Sequence, residues 1–398
     1  MDGVAAFIEL AGFPLTAFFL SMLTFVVSAA ATRLVAMRLS IFALPDHRSS
    51  HTKPTPKTGG LAVVTVWIFA ICVFYAWAGP GATGLAPDKF AVFMALIVGV
   101  CLVGLVDDIL FMPALAKLGF QIAAASIFAF FIASVDLIAF PVVGVVSLHA
   151  VFGPAAPVFT VVWIVAFMNA FNFMDGLNGL AAGAGVFAAA AIAIVGAVAG
   201  SAFFVYAGMF LAPALLGFLV FNFPDGKIFL GDNGSQPVGF IFASLAALGA
   251  AQGEAGFAIS FYVVPILFLP FILDVAITVG HRAVRRRNVL SAHNEHIYQV
   301  LNRSGYSHAG VSMMYYGMFA VTAVAGVLAQ SIDPDARLFV PLALAPAFAG
   351  FGLFAYVTGW RCGVIRPDKV DVAAHALNGE GDAASASAES VSQPKAAE

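Results

Sequence analysis

From Gly12 to Thr32 the chain contains no Asp, Glu, Lys or Arg, and similar runs recur along most of its length. A helix needs about 20 mostly apolar residues to cross a bilayer, so each run is a candidate span. Eleven emerge, at residues 12–32, 60–79, 90–106, 118–135, 155–173, 179–199, 202–222, 235–252, 257–279, 309–329 and 338–358. With 62% hydrophobic and only 10% charged residues, the chain has the bilayer as its solvent and is no water-soluble globule. The expectation is an all-α integral membrane protein of about 11 transmembrane helices, with residues 1–366 as a single polytopic domain.

Charge placement orients this bundle. Threading it with the N-terminus outside puts 16 of the 18 Lys and Arg residues on the cytoplasmic side, leaving only Lys89 and Arg337 outside. The C-terminus is then cytoplasmic. Asp2 and Glu9 precede the first run without any Lys or Arg, the wrong flank for a cleaved signal peptide, so that run reads as a retained span. Pro141, Gly144, Gly153, Pro154 and Pro157 punctuate the outside connection and predict a short periplasmic hairpin. Residues 367–398, rich in Ala, Ser and Glu, read as a disordered cytoplasmic tail. Cys72, Cys101 and Cys362 have no spacing that would make a disulfide framework or a zinc site. A net charge of -3 argues against a nucleic-acid partner.

Ionisable residues at membrane depth are costly and mark function by default. Under this threading they gather on the cytoplasmic side. Asp107 and Asp108 end the third span, where a hard divalent cation would relieve their repulsion; a solvated helix end is the simpler reading. Asn169, Asn172, Asp175 and Asn178 recur every three residues in NAFNFMDGLNG and crowd one helix face with amide and carboxylate groups, unless they are only a polar helix terminus. Asp232, in FLGDNGSQPVGF, sits in a glycine-flanked turn before the eighth span, with Ser235 as N-cap and backbone N–H groups suited to phosphate. No closing Glu follows either Asp-Gly stretch, so neither is an EF-hand.

After the ninth span, HRAVRRRNVLSAHNEH places Arg282, His293 and His296 where a polyanion would bind, while Arg285 to Arg287 serve equally well as topology anchors against anionic lipid. The first connection, LPDHRSSHTKPTPKTGG, offers Lys53 and Lys57 between prolines, with Gly59 and Gly60 opening a helix.

Five ordered motifs result: Arg48 to Gly60 (RSSHxxPTPxxGG), the Asp107–Asp108 pair, Asn169 to Gly179 (NxxNxxDGxxG), Phe229 to Ser235 (FxGDxGS) and the His296 loop. Together they resemble the polyprenyl-phosphate N-acetylhexosamine-1-phosphate transferases of glycosyltransferase family 4, which start O-antigen, teichoic acid and peptidoglycan lipid intermediates. The resemblance implies transfer of an N-acetylhexosamine 1-phosphate from a UDP-sugar to undecaprenyl phosphate, with Mg²⁺, or Mn²⁺ in its place, as cofactor. It assigns Asp107, Asp108 and Asp232 to chemistry, Asp108 and Asp232 to metal, and Asn172 and Asp175 to the nucleotide, with Asn169 and Asn178 as further substrate-binding residues. Phe229 would face uracil, and Lys53, Lys57, Arg282, His293 and His296 would bind phosphates. The implied setting is the cytoplasmic membrane among its lipids, the active site facing the cytoplasm, with a homodimer as an open option.

This chain departs from the family pattern at Asn178, where Asp is usual, in Pro224 to Lys227, and in reading His296-Ile297-Tyr298-Gln299 for HxHH. The last form is similar to the O-antigen-initiating branch. A transporter would instead carry its charges near the bilayer midplane and show an inverted repeat, and neither is visible here.

Overall fold

The computed structural model describes residues 2–39, 41–43, 54–140, 143–251, 259–287 and 294–365. Fourteen α-helices follow one another among them: α1 (Asp2–Arg38), α2 (Gly59–Thr83), α3 (Pro87–Leu110), α4 (Ala114–Ile127), α5 (Leu148–Phe152), α6 (Pro157–Phe173), α7 (Leu180–Val198), α8 (Ala202–Asn222), α9 (Asp232–Ala251), α10 (Val263–Leu267), α11 (Leu269–Val284), α12 (Ile297–Arg303), α13 (His308–Ser331) and α14 (Phe339–Arg361). Nine are long and apolar enough to cross a membrane, and α5 with α6, bent by 86° at their junction, makes up to ten. The protein is a multi-pass membrane protein.

The expected ninth span, 257–279, is where sequence and structure differ. It is broken at Phe268 into α10 and α11, with Pro265 inside the first and Pro270 opening the second. Proline has no N–H to continue the ladder and its ring clashes with the preceding turn, so one straight span becomes two short helices. The predicted hairpin is present, with β3 (Leu137–Phe140) pairing antiparallel to β4 (Gly144–Ser147); β1 (Phe42–Ala43) pairs likewise with β2 (Thr55–Pro56). The tail, Lys53 and His293 lie outside the described residues.

Burial is graded around α9, most of which is enclosed by protein, whereas α14 and Thr16–Arg38 of α1 are largely exposed. α9 packs on α3, α6 and α2. Small residues allow that approach: a Cβ on Gly60 of α2 would meet the Gly234 Cα at 2.1 Å, and one on Gly104 of α3 would meet the Asp232 backbone at 2.4 Å. The central helix therefore delivers its first residue, Asp232, against the end of α3. Main-chain bonds complete the corner, with Phe229 N–H donating to Pro56 O and Gly59 and Gly60 N–H to Phe229 and Leu230 O.

Candidate active site

α3 ends at Phe111, whose left-handed backbone (φ 52°) turns the chain sharply and whose N–H returns to Asp107 O at 2.9 Å. Such a conformation is uncommon for a residue with a Cβ. The reversal brings Lys117, on the first turn of α4, back over the helix end. Its Nζ lies 2.6 Å from Asp107 Oδ2 and 2.9 Å from Asp232 Oδ2. Asp107 Oδ1 accepts from Met112 N–H at 2.8 Å. Asp108 points the other way, with Lys57 Nζ at 3.3 Å from Oδ1, while Asn233 donates to Oδ2 through both its backbone N–H and its amide. The Lys57 ammonium also stands 5.0 Å from the Phe111 ring centroid.

Asp232 is held from the third side by α6, where Asn172 Nδ2 donates to Asp232 Oδ1 at 2.9 Å and to Ser235 Oγ at 2.8 Å. Ser235 is not the N-cap that its sequence position implied. α9 begins three residues earlier, at Asp232, because Gly231 (φ 74°) supplies the left-handed turn that starts the helix; the Ser235 hydroxyl instead donates to Gly231 O. A Cβ on Gly231 would lie 2.2 Å from Lys57 O and 2.9 Å from Asp108 Oδ2, so only glycine fits this junction.

Three carboxylates and two ammonium groups thus meet where α3, α4, α6 and α9 converge. The remaining expected residues are arranged around them. Asn169, half-buried one turn deeper, donates to Oε1 of the buried Gln121 at 2.7 Å, with Gln121 donating in turn to the buried Gln236. Asp175 lies just past the end of α6. Burial, followed by the negative charges of Asp232 and Asp108, holds its carboxyl well above the usual carboxylate range. Asn178 sits farther along, its amide donating to Pro224 O at 2.8 Å, an interaction a carboxylate at this position could not make. Phe229 is half-buried beside Lys57 in the corner described above.

His296 and Arg282 form a second group bordering the first. His296 packs on Phe173, next to Asn172, with ring centroids 6.1 Å apart. Its Nδ1 lies 3.1 Å from Asp274 Oδ1, and Arg282 Nη1 donates to Glu295 Oε2 at 2.9 Å. Asp274 is 1% exposed and accepts from Ile297 N–H, Tyr298 N–H and the Tyr315 hydroxyl, so it anchors both the histidine and the start of α12. Sequence reasoning passed over it. A lone carboxylate inside an apolar run was the signal that marks such a residue. Lys117 was likewise read only as a cytoplasmic charge, and Gln121, Asn233 and Gln236 were not singled out.

A metal can be tested against this chemistry. Among the described residues no three carboxylate, imidazole or thiol groups converge as a ready-made metal cage. Mg²⁺ does not need one, because it commonly takes one or two carboxylates and completes its shell with water and substrate phosphates. Asp107 and Asp232 already share one cation, the Lys117 ammonium, and Asn233 Oδ1 is a buried oxygen with no hydrogen-bond partner. The oxygen-only donor set fits a hard dication.

Residues 90–250 match the glycosyl transferase family 4 pattern. The chain is 32% identical over 337 residues to the decaprenyl-phosphate N-acetylglucosaminephosphotransferase of Mycobacterium tuberculosis, an alignment covering 79% of this chain and 82% of that protein. It is 26% identical over 325 residues to a probable undecaprenyl-phosphate N-acetylglucosaminyl 1-phosphate transferase of Bacillus subtilis, covering 81% and 87%. With the undecaprenyl-phosphate alpha-N-acetylglucosaminyl 1-phosphate transferase of Thermotoga maritima it shares 28% over 273 residues, covering 67% and 76%.

Proposed function

Because the chain belongs to glycosyl transferase family 4, we propose that it transfers N-acetylglucosamine 1-phosphate from UDP-N-acetylglucosamine to a polyprenyl phosphate and releases UMP. The observation that carries this reading is the meeting of Asp107, Asp108 and Asp232 with Lys57 and Lys117 at the ends of two apolar helices, all but Lys57 inside the matched region. That is a place where two polyanions can be held at the rim of a membrane. The relatives' names narrow the sugar from an N-acetylhexosamine to N-acetylglucosamine.

In the reaction, an oxygen of the lipid phosphate attacks the sugar-bearing phosphorus of the nucleotide sugar. The bond from that phosphorus to the bridging oxygen breaks, and the oxygen leaves with UMP. A phosphate monoester has its second pKa near ~6, so much of the nucleophile is dianionic at neutral pH and no strong base is required. Asp107, already fixed by Met112 N–H and Lys117, orients the reacting groups more than it removes a proton. Lys57 and Lys117 clamp phosphate oxygens, with Lys53 and His293 as further cationic groups. Asn172 and Asp175 bind the nucleotide beside Phe229, while Asn169 supports them through its bond to Gln121 and Asn178 by holding Pro224. Arg282 and His296, the latter aligned by Asp274, close the phosphate side. Asp108 and Asp232 would hold Mg²⁺ or Mn²⁺, which supplies charge neutralisation for an in-line displacement.

Undecaprenyl phosphate as the acceptor rests on the family resemblance, and the finer assignment to the O-antigen-initiating branch rests on the form His296-Ile297-Tyr298-Gln299. Restoration of surface O-antigen in a strain lacking its initiating transferase tests the branch. For the reaction itself, purified protein with labelled UDP-N-acetylglucosamine and undecaprenyl phosphate should form labelled lipid and UMP in equal amounts. Release of UMP without lipid product, or none at all, would remove the proposal.

The basic residues favour a cytoplasmic active site, with the C-terminus on the same side. In a Cys362→Ser background, a cysteine replacing Asp225 should be shielded from an impermeant thiol reagent in intact cells, and one replacing Asp333 should react. The opposite labelling pattern would invert the topology.

A further inference from the structure

Arginines that the carboxylate cluster does not use gather at a separate opening. Between α11, α12 and α14 lies a cavity of about 1100 Å³. Ile277, Val300 and Leu353 give it apolar walls, and Arg285, Arg287 and Arg303, with Glu295 as the one carboxylate among the described residues that line it, border it with net positive charge. Gly352 forms part of the slot, where a Cβ would come within 3.1 Å of Ile297 Cδ1. Neither Asp107, Asp108, Asp232 nor Asn172 lines it.

The arginines are oriented by neighbours. Arg285 Nη2 donates to the Tyr356 hydroxyl at 3.2 Å, Arg303 Nη1 to Asn294 O and Oδ1 at 3.3 Å, and Arg287 Nη1 to Glu295 at 2.7 Å. A guanidinium has five N–H donors, so it can hold such a partner and a phosphate oxygen together. This polar end lies on the same membrane side as the carboxylates, since His296, next to Glu295, packs on Phe173 at the end of α6.

We propose that this cavity binds an anionic phospholipid of the surrounding membrane, its phosphodiester head at Arg285 and Arg303 and its acyl chains along the slot past Gly352. Basic pockets between membrane helices have the chemistry to hold such headgroups. The polyprenyl carrier is the poorer occupant, because its phosphate must reach the carboxylate cluster. Between the two is a buried group: Asp274 accepts from the N–H of Ile297, which lines the cavity, and from the Tyr315 hydroxyl, while the Tyr298 hydroxyl donates to Phe173 O at the end of α6. Lipid held here would fasten α14 to the two helices that carry Arg282 and anchor His296.

Full-length protein stripped of lipid, then titrated with phosphatidylglycerol or phosphatidylcholine and read by native mass spectrometry, tests this. Phosphatidylglycerol should bind saturably and more tightly than phosphatidylcholine. Arg285→Gln with Arg303→Gln should weaken phosphatidylglycerol binding about 30-fold, taking a surface-type contribution from each arginine, and leave phosphatidylcholine unaffected. Arg285→Lys with Arg303→Lys, which keeps the charge, should retain most of the affinity. Gly352→Leu should weaken both lipids by filling the slot. Equal binding of the two lipids, a preference that survives the glutamine pair, or a protein dimer that takes up no lipid would each overturn the assignment. Displacement of bound phosphatidylglycerol by polyprenyl phosphate would give the cavity to the carrier instead.

Discussion

Asp232→Asn is expected to slow transfer roughly 10²- to 10³-fold, the loss seen when one preorganised electrostatic group is removed from an active site, while the protein stays folded in the membrane. The packing argument supports the second half. Asn has nearly the same shape, its carbonyl oxygen can still accept from Asn172 Nδ2, and the tight Gly104 contact with the Asp232 backbone is untouched. What disappears is the negative charge that faces Lys117 and that would hold a dication far better than an amide can. The loss should fall on kcat, and added Mg²⁺ should recover little of it. Turnover within a few-fold of the unaltered protein, measured as labelled lipid formed, would take Asp232 out of the chemistry.

Much of this site was legible because the bilayer makes polar residues conspicuous. Asp107, Asp108, Asn172 and Asp232 stand at the ends of apolar runs, and the structure brings all four together. Gly59 opens α2 as its sequence position implied. The missed residues have a common physical cause: their roles depend on tertiary proximity. Lys117 looks like any charge in a connection until the left-handed turn at Phe111 folds it back on Asp107. Asn233 appears as the spacer in GDNGS, yet its backbone and side chain both hold Asp108.

Two further differences come from local chemistry. The spacing of Asn169, Asn172, Asp175 and Asn178 described a single helical face, but α6 ends at Phe173, so the last two leave that face and Asn178 turns to Pro224. Pro265 and Pro270 divided a run whose hydropathy alone described one span. Asp274, inside that run, has its charge compensated by donors from α12 and α13, elements that hydropathy cannot pair with it.

Lys117→Met should expose the electrostatic frustration that the lysine now relieves. Its ammonium is shared by Asp107 at 2.6 Å and Asp232 at 2.9 Å, with Asp108 next to them paired, among the described residues, with Lys57. Removing one member of a buried ion pair costs about 3–5 kcal/mol because the other charge is left uncompensated. The Lys117 side chain is 25% exposed, so water softens this, and about 2–3 kcal/mol is the expected loss. If the carboxylates form a cation site rather than a structural ion pair, a dication should replace what the lysine supplied. The variant purified in chelator should therefore melt well below the unaltered protein, and Mg²⁺ should restore most of the difference. The unaltered protein, whose carboxylates already share an ammonium, should respond less. Transfer by the variant should stay depressed at saturating Mg²⁺, since one of the two lysines of the phosphate clamp is gone even when the carboxylates are neutralised. Equal melting of the variant in chelator and in Mg²⁺ would show that these carboxylates do not bind the ion, and would leave Lys117 a structural partner alone.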